Sequence, residues 1–229
     1  MACRLKAFLH LGLTVILTEV VTILFLSSTS QWCCIRVQDR AFLCQLYTSV
    51  QQLLDKHNIK SFLCYGSCLA AVRDNGTHIQ HEHDVDLCIL KKDETEIESI
   101  LEKEYDMFVN EDDKGSLIFR IYNYKERDLI SSLQYRSAEL WIDVYSWHHF
   151  TRFDKLYTSP KHIDDSTSRQ AYKYNSIYPL VNATYCQTHA KVPKNHNRYL
   201  SSEYGSGYNV KKIPQKGFKG LSCHIWYDC

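Results

Sequence analysis

The sequence predicts an α+β fold, a mixed sheet flanked by helices. Apolar residues recur at three- and four-residue steps over residues 39–57 and 94–105, which is the spacing of one helical face. Between and after these segments lie short runs in which apolar and polar residues alternate, as they do in strands. A chain of 229 residues has room for about one domain of this kind with additions.

The first half of the chain reads as helix, strand, helix and strand. The helix at 39–57 is followed by a β-rich run at 59–65, which Gly66-Ser67 closes. Small residues at 68–72 start a second helix, and residues 73–83 form a polar loop with an Asn-Gly pair. A strand then follows at 84–90, so Asp84 and Asp86 share one face.

The second half continues with the helix Glu94–Tyr105 and with strands at 107–109, 117–122 and 140–145. The last of these strands carries Asp143 between two apolar residues. From about residue 150 the chain is rich in turn residues. There we predict a strand entry at 177–181 and a short helix at 197–203 that Gly205 ends.

Composition narrows the classes of function. The 27 basic residues nearly balance 26 acidic ones, for a net charge of +1, so no basic surface indicates a nucleic-acid partner. Sixteen tyrosines and four tryptophans, against eight glycines and four prolines, are typical of a folded globule rather than a disordered chain.

The N-terminus carries an apolar stretch from Ala7 to Leu26, preceded by Arg4 and Lys6. Its length is close to the roughly 20 residues that span a bilayer, although Glu19 lies within it. The basic flank predicts a cytosolic stub and a signal anchor over residues 1–30, with the remainder in the Golgi or ER lumen. The small residues at 28–30 leave a cleaved signal peptide, and hence secretion, as the alternative.

Cysteines and glycosylation sequons agree with an oxidising lumen. No cysteine pair has zinc-ribbon spacing, so the ten cysteines favour disulfides, whose connectivity the sequence leaves open. With Cys3 in the cytosolic stub or removed, an odd number remains, and one is free or paired with another chain. Asn75 and Asn182 each begin an Asn-x-Thr sequon.

An acidic constellation indicates metal-dependent chemistry. Two carboxylates at i and i+2 of a strand, Asp84 and Asp86, can clamp Mg²⁺ or Mn²⁺ together with a third, Asp143, from a neighbouring strand. Gly66-Ser67 at a helix start offers backbone N–H donors to phosphate oxygens. The ordered set of Gly-Ser, helix, loop, Asp-x-Asp strand and third-Asp strand indicates such a site more specifically than any one of these motifs does alone.

These motifs resemble those of the LicD/fukutin family. Residues 63–73, Ile79 and residues 83–87 are similar to its motifs Gly-Ser/Thr-Leu-Leu-Gly-Ala-x-Arg, Ile-Pro-Trp-Asp-Asp and Asp-Ile-Asp. The helix that ends at 53–59 resembles the family's lead-in. Residues 192–193, 199–200 and 204–208 resemble its closing Val-Pro, Tyr-Leu and Tyr-Gly pattern. The resemblance covers about residues 45–210.

The resemblance implies a nucleotidyltransferase-like fold and a lumenal transferase, with residues 31–210 as its catalytic domain and 211–229 as a Cys-containing tail. Such an enzyme moves a phosphorylated alcohol, of the ribitol phosphate or phosphocholine type, from a CDP donor to a glycan or glycolipid. Asp143 would either ligate metal or take the acceptor proton. The implied site consists of the metal-binding and catalytic Asp84, Asp86 and Asp143 and the substrate-binding Gly66, Ser67 and Arg73.

The chain departs from the family pattern in two places. Ala70 stands where the family has Gly, and residues 80–83, Gln-His-Glu-His, replace Pro-Trp-Asp-Asp with one extra residue. The altered loop motivates an alternative function, a degenerate member that acts as a glycan-binding or chaperone-like partner. It also raises zinc as an alternative metal, since histidines at 78, 81 and 83, together with Asp84 or Glu82, are ligand types that zinc accepts. Asp112 and Asp128 are rivals for the third carboxylate.

Overall fold

A computed structural model describes residue 35 and residues 37–109, 117–122, 140–157 and 171–211. The predicted anchor at residues 1–30 lies outside these residues and remains a prediction, as does the tail beyond residue 211. None of the helices in the described ranges has the length and apolarity of a membrane span. Arg36–Lys211 forms one compact unit.

The first predicted helix is confirmed as α1 (Val37–Lys56). One face of the helix is fully buried at three- and four-residue steps, at Leu43, Leu46, Val50 and Leu54, which is why the apolar periodicity located it. The helix ends where Asn58 takes a left-handed conformation with φ 57°. Asn58 and Ile59 then donate their N–H groups back to Asp55 and Leu54, a Schellman arrangement that satisfies the last carbonyls.

The remaining elements follow the predicted order as far as the strand through residue 145, and beyond it the structure adds elements that the sequence did not predict. The short strand β1 (Phe62–Leu63) precedes α2 (Tyr65–Arg73) and β2 (Asp84–Leu90). After a 3₁₀ turn at Lys91–Asp93 come α3 (Glu94–Glu104), β3 (Asp106–Val109), β4 (Leu117–Tyr122), β5 (Trp141–Phe150), a 3₁₀ turn at Thr151–Phe153, β6 (Lys155–Tyr157), β7 (Ala171–Lys173), α4 (Tyr174–Ile177), β8 (Val181–Tyr185), β9 (Thr188–Val192) and α5 (His196–Tyr204).

Several boundaries differ from the sequence prediction. The strand predicted at 59–65 is observed only as the two residues of β1. β5 continues five residues beyond Tyr145, because its far half finds a new partner in β6 and stays in a sheet. The strand entry predicted at 177–181 begins only at Val181. Residues before it form the short helix α4 and a cis peptide bond at Tyr178-Pro179.

The strands form a mixed sheet in the order β1-β2-β5-β4-β3. The sequence predicted a mixed sheet but not this order. β2 and β5 are parallel, and the other pairs are antiparallel. β6 and β7 extend the sheet from the far half of β5, while β8 and β9 form a separate hairpin. The parallel pair matters most for the site, because it places the starts of β2 and β5 side by side.

Aromatic rings and disulfides fix the elements around this pair. Fully buried Trp147 meets the edge of Phe62 and stacks on Tyr172, with ring centroids 5.3 Å away in both cases. Disulfides join Cys44 to Cys186 and Cys64 to Cys88, while Cys68 is a free, buried thiol. The predicted preference for disulfides is thus met for four cysteines, and the connectivity that the sequence left open is supplied for them.

Candidate active site

Three carboxylates converge at the start of the parallel strand pair. Asp86 on β2 is the register partner of Asp143 on β5, and Asp84 lies two residues earlier on the same face of β2. One ligand oxygen from each of the three lies within 4.8 Å of the others. The structure therefore brings together the three acidic residues that the sequence predicts.

The acidic cluster, Asp84, Asp86 and Asp143, is withdrawn from water. Asp86 is 8% exposed and Asp143 3%. Burial raises the pKa of Asp84 to about 6, and the negative charges of Glu82 and Asp143 add to the rise. Burial and the same neighbouring charges raise the pKa of Asp86 well above its ordinary value. Like charges held together in this way are what a divalent cation neutralises, so the donor set fits Mg²⁺ or Mn²⁺.

A guanidinium borders the cluster. Arg120 on β4 is the register partner of Asp143, and it donates from Nε to Oδ1 at 2.8 Å and from Nη2 to Oδ2 at 3.2 Å. Its guanidinium also lies 4.2 Å from the centroid of the Trp141 ring. The Asp143 carboxylate keeps further lone pairs for a metal ion, because two oxygens offer about four acceptor sites. The sequence analysis missed Arg120, although a single Arg within an apolar strand was the available signal.

Gly66 and Ser67 lie inside the first turn of α2 rather than in a turn before it, as the sequence analysis placed them. The Ser67 hydroxyl accepts the backbone N–H of Asp86 at 2.9 Å, which joins the helix start to the acidic strand. A Cβ built on Gly66 would lie 3.6 Å from Asp86 Oδ2 and 3.6 Å from Glu82 Cδ. Any side chain here would fill the space between the helix N-terminus and the cluster.

The N–H groups of the first helical turn have no intrahelical acceptor. That of Tyr65 donates to the Tyr199 hydroxyl at 2.9 Å. Those of Gly66 and Ser67 follow it in the same turn, next to the carboxylates. An anion held by these donors would lie at the positive end of the helix dipole, beside the metal-binding carboxylates.

Arg73, the third predicted substrate residue, is not brought to the cluster. It ends α2, and a rise of about 1.5 Å per residue places it about 10 Å from Gly66 along the axis. Its guanidinium donates to both carboxylate oxygens of Asp74, at 3.0 and 2.7 Å. Lys211 also contacts Asp74, at 3.3 Å. The donor-binding role of Arg73 remains a prediction, because its hydrogen-bond partner here is Asp74 rather than a residue of the cluster.

The histidine loop is structural at its first position. His78 uses both ring nitrogens, with Nδ1 2.5 Å from the Tyr185 hydroxyl and Nε2 2.9 Å from the Glu82 carbonyl oxygen. Burial lowers the pKa of His78 to about 4, so the ring is neutral at physiological pH. Within the described ranges the acidic cluster is the group of three ligating side chains that converges. The zinc alternative thus finds no support in the geometry.

Glu82 is the residue of the altered loop that approaches the cluster. Its carboxylate lies near the position that a Gly66 side chain would take, and its charge raises the pKa of both Asp84 and Asp86. The sequence analysis considered Glu82 only as a zinc ligand, although it immediately precedes His-Asp-Val-Asp. The rival acids Asp112 and Asp128 lie outside the described residues.

Comparison with known proteins agrees with the motifs. The family described as "LicD/FKTN/FKRP, nucleotidyltransferase domain" matches residues 58–195, more than half of the chain. No curated protein sequence matches significantly. Solved structures that match the chain, each at a TM-score of 0.45, include the antibiotic-resistance factor ANT(2'')-Ia and the lincosamide antibiotic adenylyltransferase LnuA. ANT(2'')-Ia in complex with adenylyl-2''-tobramycin is 13% identical, over 79% of this chain and 87% of that one. Lincomycin-bound LnuA is 9% identical, over 84% and 98%.

Proposed function

The chain belongs to the LicD/FKTN/FKRP nucleotidyltransferase family, and from this membership we propose a lumenal, divalent-metal-dependent transferase. It moves a phosphorylated alcohol, of the ribitol phosphate or phosphocholine type, from a CDP donor to a glycan or glycolipid. The single observation that carries the proposal is the convergence of Asp84, Asp86 and Asp143 beside the N-terminus of α2.

The reaction we propose breaks one phosphoanhydride bond and forms one phosphodiester bond. An acceptor hydroxyl oxygen attacks the phosphorus that carries the alcohol, the bond to the CMP oxygen breaks, and CMP leaves with the electron pair. Asp143 accepts the hydroxyl proton or shares in metal binding. A divalent ion held at the acidic cluster would supply positive charge to the transferring group. The mutually repelling carboxylates of half-buried Asp84 and buried Asp86 would hold that ion.

Two of the predicted substrate-binding residues, Gly66 and Ser67, orient the donor, and Arg120 orients Asp143. The N–H groups of Gly66 and Ser67 bind a donor phosphate oxygen at the helix N-terminus, and the missing side chain of Gly66 allows that phosphate to approach Asp86. Arg120 holds the Asp143 carboxylate in place through two hydrogen bonds, which fixes the geometry that in-line attack requires.

A lumenal location is supported by three independent features. The apolar stretch Ala7–Leu26 has the length of a signal anchor, with secretion after cleavage as the alternative. The sequon residues Asn75 and Asn182 are both exposed. The disulfides Cys44–Cys186 and Cys64–Cys88 belong in an oxidising compartment. We therefore propose a single-pass type II protein of the Golgi or ER membrane.

The second candidate is a degenerate family member that binds a glycan or assists a partner without transfer. The altered loop at residues 80–83 is what favours it. Glu82 argues in the other direction, because the altered loop keeps an acidic side chain whose negative charge raises the pKa of Asp84 and of Asp86.

A turnover assay tests the transferase. The lumenal segment is incubated with CDP-ribitol or CDP-choline, a glycan acceptor mixture and Mg²⁺ or Mn²⁺, and CMP release is measured. We expect release from wild type and from the exposed-acid control Asp55→Asn, and loss of it in Asp86→Asn and with EDTA. Equal release from wild type and Asp86→Asn would exclude the proposed site. No release with metal-independent glycan binding would favour the degenerate member.

A further inference from the structure

Three buried polar side chains lie between the altered loop and the backbone of β2. They are His78 in the loop, Tyr185 at the end of β8 and Ser67 in the first turn of α2, and none is more than 4% exposed. Polar groups that are taken out of water need hydrogen-bond partners inside the protein. These three side chains, called the buried network below, find their partners in one another and in two backbone groups.

The contacts of the buried network run without a gap from one backbone group to the other. His78 Nε2 lies 2.9 Å from the Glu82 carbonyl oxygen, and His78 Nδ1 lies 2.5 Å from the Tyr185 hydroxyl. The Ser67 hydroxyl hydrogen-bonds the Tyr185 phenol, and it accepts the backbone N–H of Asp86 at 2.9 Å. The network therefore links the backbone of Glu82 to the backbone of Asp86.

The two ends of the network fix every proton within it. A backbone carbonyl oxygen only accepts, so the Glu82 carbonyl requires the hydrogen of His78 on Nε2. His78 Nδ1 then accepts from the Tyr185 hydroxyl, whose oxygen in turn accepts from Ser67. The Ser67 oxygen is left to accept the Asp86 N–H. All four hydrogen bonds point the same way, and they require a neutral His78 ring.

Tyr185 is anchored from outside the sheet. Its ring packs edge to face with the buried Tyr47 of α1, at a centroid distance of 5.1 Å. The next residue, Cys186, forms the disulfide with Cys44 of the same helix, and it donates its N–H to the Gly76 carbonyl oxygen at 2.8 Å. Because packing and a crosslink hold this phenol against α1, the network supports β2 from a fixed position.

We propose that His78 and Tyr185 are positioning residues of the acidic cluster, which hold the backbones of Asp86 and Glu82 in the arrangement that binds a divalent cation. The inference rests on the proposed function in treating Asp86 as a metal ligand. Neither side chain ligates the ion, because both nitrogens of His78 and the oxygen of Tyr185 are already used within the network. Replacing side chains that orient metal ligands typically weakens metal binding by about 10- to 100-fold.

Metal titration of the full-length protein tests the network without any transfer reaction. The affinity for Mn²⁺ is measured for wild type, Tyr185→Phe, His78→Leu, His78→Gln and Tyr47→Phe. Tyr185→Phe removes one hydroxyl and His78→Leu removes both nitrogens, whereas His78→Gln keeps one donor and one acceptor. Tyr47→Phe is the matched control, because it removes the hydroxyl of a buried tyrosine whose partner, the His189 carbonyl oxygen at 3.5 Å, lies outside the network. Circular dichroism verifies folding.

We expect Tyr185→Phe and His78→Leu to bind Mn²⁺ at least about tenfold more weakly than wild type. Tyr47→Phe should bind as wild type does, and His78→Gln should recover most of the affinity that His78→Leu loses. Wild type that binds no Mn²⁺ would overturn the proposal, as would folded Tyr185→Phe and His78→Leu with wild-type affinity. A loss in Tyr47→Phe as large as that in Tyr185→Phe would overturn it too.

Nitrogen-15 NMR of the wild-type histidines provides a second readout, which does not depend on how the variants fold. The resonances that disappear in His78→Gln identify the His78 ring, and we expect its hydrogen on Nε2 at neutral pH. Hydrogen on Nδ1 would contradict the direction of the network and with it the proposal. CMP release assayed in parallel separates the two proposals. Mn²⁺ affinity that depends on the network, without turnover, refutes only the transferase, and turnover with Mn²⁺ affinity independent of the network refutes only this inference.

Discussion

At the scale of single residues, the acidic cluster gives a pH-dependent stability of definite sign. The ordinary pKa of an aspartate carboxyl is 3.8, and burial raises the pKa of Asp84 to about 6. Between these values the native, metal-free protein binds more protons than the unfolded chain. The free energy of unfolding therefore falls as pH rises through this window, and it stays low above pH 6.

Neutralising the cluster is accordingly expected to stabilise the metal-free protein. In EDTA at pH 7.5, Asp84→Asn should raise the free energy of unfolding by roughly 1–3 kcal/mol, because the variant carries no charge to desolvate. Addition of Mn²⁺ should stabilise wild type, by about 2.7 kcal/mol at one hundred times its Kd, and leave the variant almost unchanged. Denaturant titrations at pH 4.5 and 7.5 measure both effects. A variant less stable than wild type at pH 7.5, with an intact Mn²⁺ response, would contradict the metal-binding role.

Arg120 gives a second prediction at this scale. Its guanidinium is the cationic partner of Asp143, so Arg120→Gln leaves a buried carboxylate beside two others with no neutralising charge. We expect a loss of roughly 1–3 kcal/mol of stability in EDTA, since partial exposure of Arg120 reduces the penalty of a fully buried pair.

Manganese should recover much of that loss, because the ion supplies the missing positive charge. Thermal unfolding with and without Mn²⁺ measures the recovery, with Arg198→Gln as the matched control on the exposed face of α5. If Mn²⁺ stabilised Arg120→Gln no more than it stabilises wild type, the coupling between Arg120 and the metal site would be refuted.

At the scale of elements, the sequence predicts features that depend on local periodicity, but it does not predict which strands pair. The faces of α1 and the alternation of β2 are local, so the helix, the strand and the shared face of Asp84 and Asp86 could be read directly. Strand pairing is not local. That Asp143 would lie beside Asp86, and Arg120 on its other side, depends on the registers of β2, β4 and β5. Asp143 could be named as a candidate because it lies in an apolar strand, and Arg120 stands out in the same way, but their pairing could not be predicted without the registers.

The disulfide Cys64–Cys88 joins the residue before α2 to β2 and encloses the helix, the altered loop and both strand aspartates. Closing a loop of this length stabilises the native state by about 3 kcal/mol through the unfolded chain. We expect the double variant Cys64→Ala/Cys88→Ala to lose about that much, and to bind Mn²⁺ more weakly because α2 is less firmly held against β2. Denaturant unfolding and metal titration measure the two losses, and Cys68→Ala, which removes a buried thiol without a crosslink, is the control. A double variant with unchanged stability and unchanged Mn²⁺ affinity would show that the disulfide does not hold α2 against β2.

At the scale of the whole molecule, the prediction of a lumenal location rests on features that lie far apart in the sequence. Two of them, the glycosylation sequons, lie close together in the fold. Asn75 and Asn182 are exposed, and the loop that carries Asn75 docks on the β8–β9 hairpin that carries Asn182. Gly76 packs so closely there that a Cβ would lie 2.4 Å from the Thr184 carbonyl oxygen. Both sequons therefore face solvent close to each other. The first of them is separated from Asp84 in the sequence by only a short loop.

Glycosylation of both sequons follows if the domain enters the lumen. Expressed in eukaryotic cells, the full chain should carry two N-glycans that an endoglycosidase removes, because both asparagines are accessible to the transfer machinery. Asn75→Gln and Asn182→Gln should each remove one gel-mobility step, the double variant both, and Asn197→Gln, an exposed asparagine outside any sequon, none. A wild-type chain whose mobility the endoglycosidase does not change would contradict the lumenal location. Transferase activity would then have to be sought with a cytosolic acceptor.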